Sequence, residues 1–392
     1  VTAPDFDELI ERRNTHSAKW DKMETFSGVS PDDGIPMWVA DMDFRPPHSV
    51  TDALRAYLDH GVFGYFGDDE AYLNAICWWM QTRHGWTVDP GHIFSTHGLV
   101  NGTGLCVEAF TKPGDAVVMF TPIYHAFFRV IRAAGRTVTE CPMALNDGRY
   151  TLDFDAYDAQ MTGKEKMIVF CSPHNPGGRV WTRAELEGLL AFAQRHDLII
   201  VSDEIHHDLI MPGEKHIPLA LIPGAAERLV MMSATTKTFN LAGMHTGNVI
   251  ISDPDLRQAF DAVMTAFGIS PNAFGKHMVP AAYSPEGADW VDALMTYLDG
   301  NRRIFDDGMA AIPGLHSMPL EGTYLAWVDF SGTGMESTEV QRRIQKDAKI
   351  AVNLGETFGA GGAPFQRFNL ATPRARIVEA VERMQRAFRD LQ

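Results

Sequence analysis

Lys237 stands in the run MMSATTKTFNLAGMHTGN (231–248), among Ser233, Thr235, Thr236 and Thr238 and directly after the apolar stretch RLVMM. An amine at the end of a buried strand gives up its proton more readily than one in water, because burial disfavours the charged form. Such an amine is a nucleophile and forms a Schiff base with an aldehyde. A lysine taken alone is far more often a solvated charge, so the reading depends on what else reaches the same place. Asp203 stands near the end of DLIIVSDE (197–204), Asn175 lies in SPHNPGG (172–178), Tyr124 lies in TPIYHAFF (121–128), and THGLVNG (96–102) is a glycine turn into a helical pattern. A carboxylate can match a cationic ring nitrogen, an amide can hold a ring oxygen, and an aromatic can stack on the ring face. Amides at a helix start can receive a phosphate. Each feature also has a plainer reading, as a helix cap, a turn or a core aromatic. Their common position after apolar runs is what joins them.

Those runs are the elements that must do the positioning. DAVVMFTP (115–122), KMIVFCSP (166–173), DLIIVSDE (197–204), RLVMMSAT (228–235) and GNVIISD (247–253) read as buried strands. TRAELEGLLAFAQRHD (182–197) between them reads as a helix, with Thr182 and Glu185 spaced as a capping box. VNGTGLCVEAFTKPGD (100–115) is a second helix, closed by Pro113-Gly114. Continuous apolar strands alternating with helices predict an α/β fold with a mostly parallel sheet covered on both faces. Ligands of such sheets sit beyond the carboxyl ends of the strands. Ser172 to Pro176, Asp203 to His206 and Ser233 to Lys237 all fall there.

The C-terminal part is α+β in pattern: a strand within EGTYLAWVDF (321–330), a helix over ESTEVQRRIQKDAKIAV (336–352) and a final helix over 374–391. The expected division is a large ligand-binding domain over 46–285 and a smaller domain made of 1–45 and 286–392.

An amine, a carboxylate, an amide donor, a stacking ring and a phosphate turn are together what pyridoxal 5′-phosphate (PLP) requires. The set HNPGGRVWT, VSDEIH, SATTKTFNLAG and FQRFN closely resembles fold-type I PLP enzymes, the aspartate-aminotransferase superfamily of class I/II. PMWVADMDFRPP (36–47), HGVFGYF (60–66) and DEIHHDL resemble its cystathionine β-lyase / cysteine-S-conjugate β-lyase branch, which includes a modulator of a maltose regulon. The resemblance spans about residue 6 to about 385. It implies catalytic roles for Lys237 as the Schiff-base lysine and proton carrier, Asp203 as the partner of the pyridine nitrogen and Tyr124 as the stacking ring. Asn175 and His206 would face the ring's 3-oxygen, and Gly98, Leu99 and Val100 would form the phosphate turn. Arg367 and the backbone at Ala40, with Asn175, would hold the substrate carboxylate. Tyr65 would reach the phosphate of a neighbouring subunit, which implies a homodimer with shared sites.

The chain departs from the wider pattern at His245, where many relatives carry a phosphate-binding arginine. The alternatives are that Ser233, Thr235 and Thr236 take over that contact or that a protonated His245 makes it. NPGG replaces the commoner NPTG, and His125 stands where lyases often have proline. The reaction expected is C–S β-elimination from L-cystathionine, L-cysteine or a cysteine S-conjugate. Amino-group exchange with a 2-keto acid is the alternative, and a regulatory binding protein a more distant one.

The bulk properties agree with a cytoplasmic enzyme of small molecules. The chain has 392 residues, 45% of them hydrophobic, and a formal net charge of −16. That charge argues against a nucleic-acid partner, whose binding needs concentrated positive charge. Cys77, Cys106, Cys141 and Cys171 have no CxxC spacing, so no metal site is expected. The first residues, VTAPDFDELIERR, lack the apolar segment of a secretory leader, and no uncharged run reaches the ~18 residues of a membrane span.

Overall fold

Strands β1 (Ile93–Thr96), β2 (Ala116–Thr121), β3 (Thr137–Pro142), β4 (Glu165–Cys171), β5 (Ile199–Asp203), β6 (Leu229–Ser233) and β7 (Gly247–Ile250) form one sheet in the order β1-β7-β6-β5-β4-β2-β3. The computed structural model describes residues 3–391. From β3 to β6 every neighbouring pair is parallel, whereas β7 runs antiparallel to both β6 and β1. Successive strand residues side with different cores. Val117, Met119, Val169 and Val201 belong to one cluster, and Val118, Phe120, Ile168 and Ile200 to the other. This is the period-two alternation of a strand, and both faces are dry because helices cover both.

The expected strands are present, and β1 and β3 are additions. β3 is an edge strand, mostly half-buried or exposed, so its residues lack the continuous apolar signature of the centre. The helix Arg183–Arg195 begins with the capping box of Thr182 and Glu185. The helix Leu99–Phe110 begins at Gly98, whose φ of 91° favours glycine.

A second sheet joins β8 (His316–Ser317), β9 (Leu325–Asp329), β10 (Asn353–Leu354) and β11 (Phe365–Asn369) in the order β8-β9-β11-β10, all antiparallel. The segment near 286–312 is one helix, Pro285–Ala310, packed on the helix Arg374–Ala387. They meet at Gly308, where a Cβ would lie 2.3 Å from Val381 Cγ1. The helix expected over 336–352 is shorter. It covers Ser337–Arg342, passes into a π turn over Arg343–Asp347, and gives way to a strand at Ile350–Ala351. That strand pairs in parallel with Ile35–Pro36, so a tertiary partner overrides the helical pattern. Among the described residues no helix is long and apolar enough to cross a membrane.

Candidate active site

The parallel strands β2, β4, β5 and β6 all end at one edge of the large sheet. Cys171 pairs with Asp203, and Asp203 with Met232, so the residues following each strand begin side by side. Asp203 is buried, and its Oδ1 accepts from Ile205 N at 3.1 Å. Burial pushes its carboxyl up to about 7, and the amide of Ile205 and the charge of Lys237 only partly offset that. The site thus favours a cation against Asp203.

After β6 the chain makes a short helical turn, Thr235–Thr238, and this turn carries Lys237. Lys237 Nζ donates to the Ala40 carbonyl oxygen. Tyr324 OH donates to the same oxygen at 2.9 Å. Burial brings the amine down to about 8, against the pull of Asp41 and Asp203 and with the help of Arg367. Thr238 Oγ1 donates to Asp208 Oδ2 at 2.9 Å, and Trp79 Nε1 donates to Asp208 Oδ1 at 2.9 Å. The ring nitrogen Nε2 of His84 lies 2.8 Å from the same Oδ1. Asp208 therefore anchors the turn beside Lys237 to the helix Glu70–His84.

Arg367 lies on β11, directly opposite Asn353 of β10. Its Nη1 donates to Asn175 Oδ1 at 2.8 Å. Its Nη2 donates to Asn353 Oδ1 at 2.7 Å and to the Trp38 carbonyl at 3.1 Å. Its Nε is buried without a partner, and its guanidinium stands 5.0 Å from the centre of the Phe358 ring. Burial lowers Arg367 to about 10, so it keeps its charge at neutral pH. Because Asn175 spends its oxygen on Arg367, its amide nitrogen is left to donate elsewhere. Tyr124, half-buried, is edge-on to Phe127 at 5.4 Å. Tyr124, Asp203 and Lys237 lie at or just beyond the ends of β2, β5 and β6, and Arg367 bonds Asn175 in the turn after β4, so these groups converge on the space beyond those strand ends.

On another side of this space Gly98 turns the chain into the helix Leu99–Phe110. The first-turn amides of Leu99 and Val100 have no acceptor within the helix. Thr235 Oγ1 and His206 Nδ1 are buried without partners. Burial holds His206 well below the usual imidazole range. Ser233 and Thr236 are buried as well. His245 is exposed in a left-handed conformation, and its Nδ1 would lie 4.0 Å from a Cβ at Gly98. A phosphorylated, oxygen-bearing pyridine aldehyde fits this donor set, since it supplies the acceptors that these amides, hydroxyl and imidazole lack.

Tyr65 is the expected site residue that does not join the group. It stands fully exposed in the irregular stretch 61–69. Four residues enter that the motifs did not mark. Asn353, Tyr324 and Trp38 each hold a site residue or its backbone partner, and Asp208 holds Thr238, the neighbour of Lys237. Asp208 lies five positions after Asp203 in DEIHHDL, the one local signal; the others come from distant segments.

The family described as aminotransferase class I and II matches residues 33–384. Cystathionine beta-lyase PatB of Bacillus subtilis (strain 168) is 39% identical over 386 residues, covering 97% of this chain and 99% of that protein. The structure of cystalysin from Treponema denticola, which contains a pyridoxal 5′-phosphate cofactor, matches with a TM-score of 0.95 at 37% identity and covers 100% of both chains. That of the PLP-bound C-S lyase from Staphylococcus hominis matches with a TM-score of 0.91 at 29% identity, covering 99% of this chain and 98% of that one.

Proposed function

The chain belongs to the class I and II aminotransferase family, and from that premise we propose that it is a carbon–sulfur β-lyase that uses pyridoxal 5′-phosphate. Its substrates are L-cystathionine, L-cysteine or cysteine S-conjugates. Each turnover consumes the conjugate and one water, and releases a thiol, pyruvate and ammonia. The observation that carries the reaction type is the full-length likeness to a cystathionine beta-lyase.

Bound in this cleft, the cofactor supplies an aldehyde that couples to amines and a ring that draws electrons from the adjacent carbon. The chain's residues do the rest. Asp203 would face the ring nitrogen and keep a positive charge there, as its burial favours. Tyr124 would stack on the ring, and Asn175 Nδ2 and His206 would hold its oxygen. Gly98, Leu99 and Val100, with Ser233, Thr235 and Thr236, would receive the phosphate, with His245 beside the Gly98 turn. Lys237, with an amine near neutrality, carries the proton to and from the substrate α-carbon. Arg367 grips the substrate carboxylate as a fork, with the Ala40 backbone and Asn175 beside it.

We assign the large domain to 46–285 and the small one to 1–45 with 286–392. The confinement of the large sheet to residues 93–250 and the pairing of Ile35–Pro36 with Ile350–Ala351 support this division. A homodimer is the working form in this reading. The exposed Leu58, Val62, Phe63 and Tyr65 support it, as an apolar surface that a second copy would cover. The four free cysteines suit a reducing cytoplasm.

The test sets pyruvate release from L-cystathionine and S-alkyl-L-cysteines beside amino-group exchange with 2-keto acids. Pyruvate formed in step with thiol is expected. Exchange without pyruvate would make the protein an aminotransferase.

A further inference from the structure

We propose that Lys276 is a positioning residue for cofactor binding. Its ion pair with Asp69 fixes the segment 61–69 that carries Tyr65, and so sets how firmly the pyridoxal 5′-phosphate of the neighbouring subunit is held. This rests on the homodimer with shared sites and adds to it a residue that no motif marked.

The segment 61–69 is irregular and joins the helix His48–His60 to the helix Glu70–His84. Three of its side chains, at every third residue, tie it to neighbouring helices. Phe63 is edge-on to Tyr57 of the helix His48–His60 at 5.1 Å. Phe66 lies 5.8 Å from the ring of His277 on the helix Ala273–Ala282, and His277 stacks on Tyr57 at 3.9 Å. Asp69 closes the segment, its Oδ1 2.7 Å from the Nζ of Lys276, the residue before His277. Tyr65 falls between these contacts and stands fully exposed. A hollow of about 510 Å³ lies between the segment and Ala53, Ala56 and His60. The segment is therefore held at points rather than along its length, and the pair with Lys276 is its one ion pair among the described residues.

A lysine is a costly choice at this position. Its side chain is buried, with the ammonium 4.0 Å from the centre of the Tyr72 ring. That ring is pinned in turn, because Tyr72 OH donates to Asn248 Oδ1 on β7. Asp69 is half-exposed, so water would solvate it if it stood alone. Replacing a buried ion pair by an apolar side chain of similar volume is often neutral or stabilising. Stability thus gives no reason for a charge here, whereas orientation does. The pair ties the segment, four residues from Tyr65, to a ring anchored on the large sheet. A hydroxyl already held in place loses less freedom when it binds, and so binds more tightly.

The experiment titrates pyridoxal 5′-phosphate into enzyme stripped of it and reads the dissociation constant from the absorbance of bound cofactor. Lys276→Met keeps the packing on Tyr72 and removes the charge. It should weaken the cofactor about tenfold, near the worth of one hydrogen bond to a charged group, and leave the melting temperature of the cofactor-free protein unchanged. In a Tyr65→Phe background the same substitution should have no effect, because no hydroxyl is left to position. Hybrids of Lys276→Met and Lys237→Ala subunits should regain wild-type affinity at the site that keeps Lys237, since its Tyr65 comes from the subunit with the intact ion pair. Wild-type affinity in Lys276→Met overturns the proposal. A tenfold loss that persists in Tyr65→Phe overturns it too, and assigns Lys276 to the fold of its own chain. Wild-type affinity in Tyr65→Phe alone overturns the shared site and this role with it, while the lyase reading stands.

Discussion

At Arg367 and Asp203 burial and charge are directly opposed. Arg367 meets three acceptors, Asn175, Asn353 and the Trp38 carbonyl, in directions that only a planar fork can serve. Arg367→Lys should raise KM for α-amino acids by roughly 10–100-fold, the worth of a lost charge-assisted pair of hydrogen bonds. Cofactor absorbance should stay intact; its loss would mean that Arg367 supports the fold. Asp203 has a folded pKa of about 7, above the ~4 of an unfolded aspartate. Without cofactor the folded chain then binds more protons than the unfolded one between those values, so Asp203 lowers stability as pH rises through that window. Denaturant unfolding of the cofactor-free wild type and Asp203→Asn should diverge by up to about 4 kcal/mol in favour of the variant from pH 4 to 7. Parallel pH profiles would mean that the carboxylate finds a cation within the chain.

At the scale of elements, the turn carrying Lys237 is held from behind. Burial works against the Asp208 carboxylate, yet the imidazoles of His207 and His84 keep it well below the usual range. It receives Thr238 and Trp79 as well, so the turn after β6, the loop after β5 and the helix Glu70–His84 meet on one group. Asp208→Ala strands an indole N–H and a hydroxyl in a dry interior. It should cost about 3–5 kcal/mol of stability, as breaking buried charged pairs does. Turnover should also fall, because Thr238 no longer fixes its neighbour Lys237. A variant with wild-type melting and a normal rate would remove Asp208 from both roles.

At the scale of the whole molecule, the N-terminal segment is pinned by a buried carboxylate. Asp43 lies 2.9 Å from Lys19, 2.8 Å from Arg12 and 3.5 Å from Arg376 of the last long helix. Burial opposes its ionisation, but Lys19 and Arg12 hold it well below the carboxylate range. A depressed carboxylate contributes its stability above the unfolded pKa of ~4 and loses it as pH falls toward the folded value. Wild-type stability should therefore drop below about pH 4 more steeply than that of Asp43→Asn, read by chemical denaturation. In the proposed homodimer, Tyr65 would reach the site of the neighbouring subunit. Tyr65 is fully exposed within an apolar stretch. Mixing inactive Tyr65→Ala and Lys237→Ala subunits should restore activity in hybrids that hold one intact site. Subunit exchange without recovery would assign Tyr65 to a role within its own chain.

The sequence alone determined the chemistry and the side of the sheet on which it happens. Lys237, Asp203 and Asn175 follow apolar runs whose pattern is set by immediate neighbours, and such runs become strands wherever both faces are covered. The Thr182–Glu185 box is local in the same way. Only the tertiary structure decided who holds these groups. Lys237 and its acceptor Ala40 are 197 residues apart, and Arg367 and the Trp38 carbonyl 329. Asn353 faces Arg367 only through the register of β10 on β11. The strand at Ile350–Ala351 replaces a helical pattern because Ile35–Pro36 pairs with it. Hydrogen-bond partners of this kind depend on how packed layers align, and a pattern that reports a residue's neighbours in the chain carries no record of its neighbours in space.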